Sequence, residues 1–210
     1  TESMPVDPLT FYSAIWGNAS SFWENLYIST GYTEISVPPW TAEPDCPCHT
    51  RVWNLVMIFS HKLTGQKPAH VRDTQTCAVL PNGSVLLLSL TKMGKEVPYS
   101  DSFYCETLLR LDPTPDGNSV LNATQRVVFT KSVLFRGLIE RSALTDSKAF
   151  FIMAIAAMKS FVSQPRPVAQ LLQTSIPVVP TQPEPSVAAV PASVTSLAIP
   201  NSVGSPISSV

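Results

Sequence analysis

Between residues 119 and 162 the hydrophobic period changes from two to about 3.6, and no other feature of the chain constrains its architecture as strongly. Leu121, Ala123, Val127 and Phe129 fall on one side of an alternating pattern, with Asn122, Thr124, Arg126 and Thr130 on the other. Such alternation marks a half-buried antiparallel strand. Leu144, Phe151, Ile155, Met158 and Val162 then recur at steps of seven, four, three and four. They form one stripe of a helix spanning 135–162, which Phe150, Ala154, Ala157 and Phe161 widen. A stripe this broad needs more than one neighbour to cover it.

The chain before that helix is rich in strands. Runs over 34–37, 51–59, 70–80, 84–92, 102–111 and 119–131 carry β-branched and aromatic residues between turn signals. Pro81-Asn82-Gly83 is a tight-turn signal, and the Pro-, Asp- and Gly-containing stretch 112–118 reads as a hairpin loop. Asp7-Pro8 fits an N-cap followed by proline in the first helical position. A second short helix is expected over 22–29, ending near Gly31. Six antiparallel strands followed by one long apolar helix predict an α+β, helix-grip (StART-like) fold, with a curved sheet around the C-terminal helix. Pattern alone leaves two versions of it open, a cavity between the layers or a filled core.

Composition changes at residue 163. From there on, nine of 48 residues are proline, and Arg166 and Glu184 are the only charges. Proline fixes φ and removes a donor, so neither helix nor sheet propagates. The expected division is therefore a folded domain over 1–162 and a disordered Pro/Ser/Val-rich linker over 163–210. The chain starts at Thr1, as a fragment of a longer protein would. Charged residues make up 14% and the formal net charge is -1, so no global field favours nucleic acid. The longest apolar run, 150–158, is too short to span a bilayer. Cys46 and Cys48 stand too close to pair easily, and with Cys77 and Cys105 they make no disulfide framework, which points to a reducing compartment.

Three segments add a more specific reading. His70-Val71-Arg72-Asp73-Thr74-Gln75-Thr76 precedes Glu96-Val97-Pro98-Tyr99-Ser100-Asp101-Ser102-Phe103, and Lys131-Ser132-Val133-Leu134-Phe135-Arg136-Gly137-Leu138-Ile139-Glu140 follows. In this order they resemble the VASt domain, a StART-like sterol-transfer domain of the Aster and Lam proteins. The resemblance covers residues 5–162, and Pro39-Trp40 and Lys67-Pro68 fit it too. It implies a cavity for one sterol, no enzymatic activity and no cofactor besides that cargo. It also implies a monomeric domain at the cytosolic face of the endoplasmic reticulum, working at membrane contact sites from an anchor outside this chain. The loop from Trp16 through Gly17 to Phe22 matches the family's lid, and Gly137 matches a glycine where strand, helix and ligand crowd together. The plainer alternatives are that Trp16 and Phe22 staple two helices, and that Gly137 is a simple turn.

A sterol pocket needs apolar walls and one or two partners for the single hydroxyl. The candidate walls are Phe59, Phe103, Val127, Phe129, Phe151, Ile155 and Met158, with Trp40 and Trp53 of undetermined facing. The candidate hydroxyl partners are Gln75, Ser89 and Tyr104. Lys92 with Lys95, and Lys131 with Arg136 and Arg141, are candidate contacts to an anionic membrane surface. Enzymatic readings find little support. Cys46, Cys48 and His49 lack a fourth zinc ligand at suitable spacing, and no histidine sits in a hydrolase pattern. The rival functions are a cavity-less helix-grip module that recruits a protein, and a carrier of another lipid.

Overall fold

The computed structural model describes residues 1–61 and 65–164. Two short helices near the N-terminus and one long helix at the end flank an antiparallel sheet. The elements run β1 (Glu2–Met4), α1 (Pro8–Trp16), α2 (Phe22–Ser29), β2 (Thr33–Ser36), β3 (Thr41–Ala42) and β4 (Cys48–His61). They continue with β5 (Gly65–Val79), β6 (Val85–Met93), β7 (Phe103–Pro113), β8 (Ser119–Phe129) and α3 (Arg136–Ser163). The helix-grip class is thus observed, with two short strands beyond the six expected. The sheet order is β1-β8-β7-β6-β5-β4-β2, and β3 pairs β4 alone. At three and two residues, β1 and β3 are too short to show a period. All but a residue or two of the expected linker 163–210 lies outside the described residues.

Local chemistry accounts for the boundaries. The Asp7 carboxylate accepts from the amides of Leu9 and Thr10, both at 3.0 Å, and caps α1, with Pro8 in its first turn. The β5–β6 turn closes with Leu80 N donating to Ser84 O at 2.8 Å, and Gly83 takes φ +80°. Side chains at odd positions face inward on every long strand. Val71, Asp73, Gln75 and Cys77 are buried on β5, for example, between exposed or half-buried neighbours. Directly paired residues share a face, so the register aligns these inward residues in rows across the sheet.

The core sits between this inward face and the three helices. Met4, Phe11, Ile15, Trp16, Trp53, Leu87, Leu111, Leu121 and Met158 are almost wholly buried. An aromatic cluster ties the layers together. Trp23 lies 5.9 Å from both Trp16 and Trp53, and Tyr27 stacks on Phe150 at 5.8 Å. Pairs of this kind contribute about 0.5–1.5 kcal/mol each beyond the area they bury. α3 is most deeply buried toward its C-terminal end. Its buried residues are Ala154 and Met158, and Lys159 reaches Glu2 on β1, whereas Gly137 and Leu138 are exposed.

One covalent expectation is corrected. Cys46 and Cys48 are joined by a disulfide, with Cα atoms 5.1 Å apart. The return from β3 into β4, closed by Glu43 N donating to Cys48 O at 3.1 Å, folds two near neighbours into bonding range. The argument for a reducing compartment loses that premise.

Candidate functional site

The inward face of the sheet is apolar except for a polar belt. One register row runs Arg51, Gln75, Ser89, Thr107 and Gln125 from β4 to β8. The first four are at least nine-tenths buried. Asp73, in the adjacent row, ties the belt together. Its carboxylate accepts from Gln75 Nε2 at 2.7 Å, Ser89 Oγ at 2.6 Å and Thr91 Oγ1 at 3.0 Å. Gln75 Oε1 in turn accepts from Arg51 Nε at 3.0 Å. At the far end Gln125 Nε2 donates to Thr107 Oγ1 at 3.2 Å and to Ser147 Oγ on α3. Buried polar groups persist where they are bonded, and the belt forms two bonded groups, Arg51–Gln75–Asp73–Ser89–Thr91 and Thr107–Gln125–Ser147.

Arg51 is held by more than Gln75. Its guanidinium carbon lies 4.1 Å from the centre of Trp40 and 4.5 Å from that of Trp53, and Nη1 donates to Trp16 O at 3.3 Å. Burial pulls its pKa down to about 10, against the attraction of Tyr12, Cys77 and Asp73. Burial likewise pushes the Tyr27 phenol well above its ordinary value, with the Asp73 and Tyr32 charges adding to it.

The first half of α3 is the least buried part of the helix. There Ile139, Ala143, Leu144 and Ser147 are half-buried and no residue is fully covered. Opposite them on the inward face, Ala123 is exposed, and Gln125, Phe129, Cys105 and Thr91 keep accessible surface. Phe103 and Phe129 pair across the strands with ring centres 5.9 Å apart, and Val127 is buried beside them. Arg136 sits 4.9 Å over Phe129 and marks where α3 begins to cross the sheet. Accessible surface on the inward face is thus concentrated here, beside the Thr107–Gln125 end of the polar belt, and we take this region as the candidate cleft.

The predicted site residues divide accordingly. Gln75 and Ser89 are cross-strand partners and both belong to the Asp73 network. Phe103, Phe129 and Val127 share one wall, and Phe151 and Ile155 are half-buried on α3. Met158 is wholly buried, so it anchors the helix rather than facing the cleft. Tyr104 occupies an even position on β7, so it faces away from the cleft, with Lys92 6.0 Å from its ring centre. Phe59 pairs with Lys67 on a two-stranded extension, since β6 reaches β5 only as far as Val71. It does not join the wall.

Trp16, Gly17 and Phe22 of the expected lid are buried, whereas Gly137 is exposed. Trp16 is 1% exposed and Phe22 5%, and the Phe22 ring lies 5.0 Å from that of Phe161. These rings staple α1 and α2 to the core, because their apolar area finds partners there, and only Asn18, Ala19 and Ser21 of the connection are exposed. Gly17 is buried between them. A Cβ added at Gly137 would meet nothing within 4 Å, so this glycine relieves no crowding within the protein. Arg51, Asp73 and Thr91 were missed as site residues. Asp73 stands two positions from Gln75 in the first motif, so strand parity was the signal that could have found it.

Two comparisons with known proteins bear on this cleft. A C2 and GRAM domain-containing protein of Arabidopsis thaliana is 26% identical over 152 residues, which is 70% of this chain. The chain spans 14% of that protein's length. The family model for the VAD1 Analog of StAR-related lipid transfer domain matches residues 1–146, from β1 into the first turns of α3. The chain therefore belongs to the VASt family, whose domains are lipid-binding.

Proposed function

We propose that the domain takes up one sterol-type lipid in the cleft between the sheet and the first half of α3, and carries it between membranes without catalysis. The observation that carries this reading is an apolar inward face crossed by a polar belt, beneath a helix whose fully buried residues lie only toward its C-terminal end. A sterol is hydrocarbon with one hydroxyl, and the belt offers that hydroxyl a partner at Thr107 or Gln125 within apolar walls. With about 28 heavy atoms at ~0.3 kcal/mol each, such a ligand binds near micromolar strength, which suits a carrier that must release its cargo.

Membrane docking fits one end of the same cleft. Leu134, Phe135, Leu138 and Tyr99 are 86%, 50%, 69% and 44% exposed, and the Tyr99 and Phe135 rings lie 6.4 Å apart. Thr130 N donates to Ser102 O at 2.8 Å, and Lys131 pairs with Asp101 at 2.5 Å, so the two connections form one platform. Exposed Lys95, Arg136 and Arg141 add positive charge at its rim. In this reading the platform meets an anionic leaflet, and the endoplasmic reticulum contact site is where it does so.

The test is titration of the whole chain with a fluorescent sterol, followed by transfer between liposomes. Saturable binding at micromolar to tens of micromolar concentration is expected. Ala123→Trp, which fills the cleft from an exposed position, abolishes it without unfolding the domain. Binding unchanged in that variant refutes the location, and no saturable binding in the parent refutes the function. One observation favours the rival protein-recruiting module. Trp23, Tyr27, Trp53 and Phe150 fill much of the α1–α2 end of the interior, which confines a ligand of sterol size to the α3 end. Native mass spectrometry that finds no co-purified lipid would support that module.

A further inference from the structure

The connection between α1 and α2 covers a recess that the sterol reading does not use. Its volume is about 110 Å³, and Gly17, Ser20, Trp23, Glu24, Arg51 and Trp53 are among its lining. That exceeds the ~30 Å³ share of one water and gives room for a group of phosphate size. None of its lining residues comes from α3.

Three of these residues carry donors that no protein group accepts. Arg51 Nη2 and the indole N–H groups of Trp23 and Trp53 are buried and unpartnered. Their side chains are 5%, 6% and 1% exposed. Guanidinium and indole only donate, so an acceptor is what this wall lacks. The rim adds more donors. α2 starts here, its N-cap Ser21 makes no side-chain capping bond, and the first-turn amides of Trp23 and Glu24 have no intrahelical partner. The N-terminal turn of α2 and a buried guanidinium thus line one recess, a combination that recognises oxyanions.

We propose that this recess binds a phosphate-type oxyanion, with Arg51 and the two indoles as its inner donors and the first turn of α2 at its rim. The phosphate belongs either to a lipid headgroup or to a free small anion. Glu24, exposed on the rim, opposes the anion and sets its affinity. The site is independent of the sterol cleft, so sterol affinity in the same preparation tells failure here from failure there.

Four tryptophans are present, and all of them surround Arg51: Trp40 and Trp53 flank its guanidinium, Trp16 accepts from it, and Trp23 lines the recess with it. Intrinsic fluorescence therefore reports on this site. The whole chain is titrated with inorganic phosphate at constant ionic strength up to about 50 mM. A parallel arm uses vesicles of phosphatidylcholine with and without phosphatidic acid. A saturable change with inorganic phosphate supports the free-anion source, and one only with phosphatidic acid supports the headgroup. In either case Glu24→Gln tightens binding about two- to fivefold. Arg51→Gln weakens it at least about tenfold, and because that variant can misfold, the exposed Glu24→Gln carries the test. No saturable change in either arm, or a response that Glu24→Gln leaves unaltered, overturns the proposal.

Discussion

Replacing Asp73 tests whether the polar belt is a directed network or a set of incidental contacts. Arg51 can only donate, so Gln75 must turn Oε1 toward it at 3.0 Å. That leaves Gln75 Nε2 facing Asp73 at 2.7 Å, which as a carboxylate only accepts. The amide is thus oriented from both ends. In Asp73→Asn either the new amide N–H₂ opposes that of Gln75, or it turns to Ser89 and Thr91, whose hydroxyls must then accept and give up their own donor bonds. Flipping Gln75 merely moves the donor–donor clash to Arg51. The variant should lose about 1–3 kcal/mol, the cost of a buried donor left unmade. Asp73→Ala removes the acceptor of all three bonds, at 7% exposure, and the buried carboxylate closest to Arg51 in the network. About 3–5 kcal/mol should go with it, a large share of the ~5–15 kcal/mol of a typical domain. Urea unfolding at constant m reads both values. A cycle with Arg51→Met should show coupling of about 1–3 kcal/mol, although the two side chains meet only through Gln75. A loss below about 0.5 kcal/mol for Asp73→Asn, or no coupling, would refute the orientation argument.

Further expectations concern the helix, the platform and alkaline pH. Met158→Ala, at 0% exposure, should cost about 2–5 kcal/mol in urea unfolding, whereas Gly137→Ala, with nothing within 4 Å, should be neutral or stabilising by up to ~1 kcal/mol. Leu134→Glu with Leu138→Glu should slow sterol transfer between anionic liposomes while leaving sterol affinity in solution unchanged, and equal transfer rates would remove the platform from the reading. Burial holds the Cys77 thiol up at about 11 against 9.0, and raises Tyr12, Tyr27 and Tyr32 above 10.0. The unfolded chain gives up these protons first, so stability present below pH 9 is lost as pH rises toward 11. Each such proton contributes a slope of about 1.4 kcal/mol per pH unit. Arg51, held at about 10 against 12.5, works the other way from pH 10 upward and offsets one tyrosine. Urea midpoints should therefore fall between about pH 8 and pH 10, and Cys77→Ser should flatten the onset.

The order of elements was legible from residue patterns because those patterns are local. Alternation at 119–129 and the helical stripe from Leu144 to Val162 match β8 and α3. Asp7-Pro8 and Pro81-Asn82-Gly83 sit where α1 starts and where β5 turns into β6, since caps and turns are decided by a few neighbouring residues. The motif order was also enough to place the chain in its family. Parity within a strand follows from alternation, which is why Leu121, Ala123, Val127 and Phe129 could be assigned to one face of β8.

Contacts between elements were decided elsewhere. Tyr104 and Phe103 are adjacent in sequence, and only the sheet's packing determines which of them faces the helices. Phe59 has the right parity but lies beyond the last β6 pair, a matter of relative strand length. Trp16 and Phe22 read more readily as lid than as staple from the sequence, and only the fold places them against the Trp23 and Phe161 rings. Asp73 and Arg51 are 22 positions apart and share one network only because β4 and β5 align in register. The chain by itself thus determined which segments are strands and helices, because those choices rest on bonds a few residues long. The tertiary structure decided which side chains meet, because burial and pairing depend on what packs above each face.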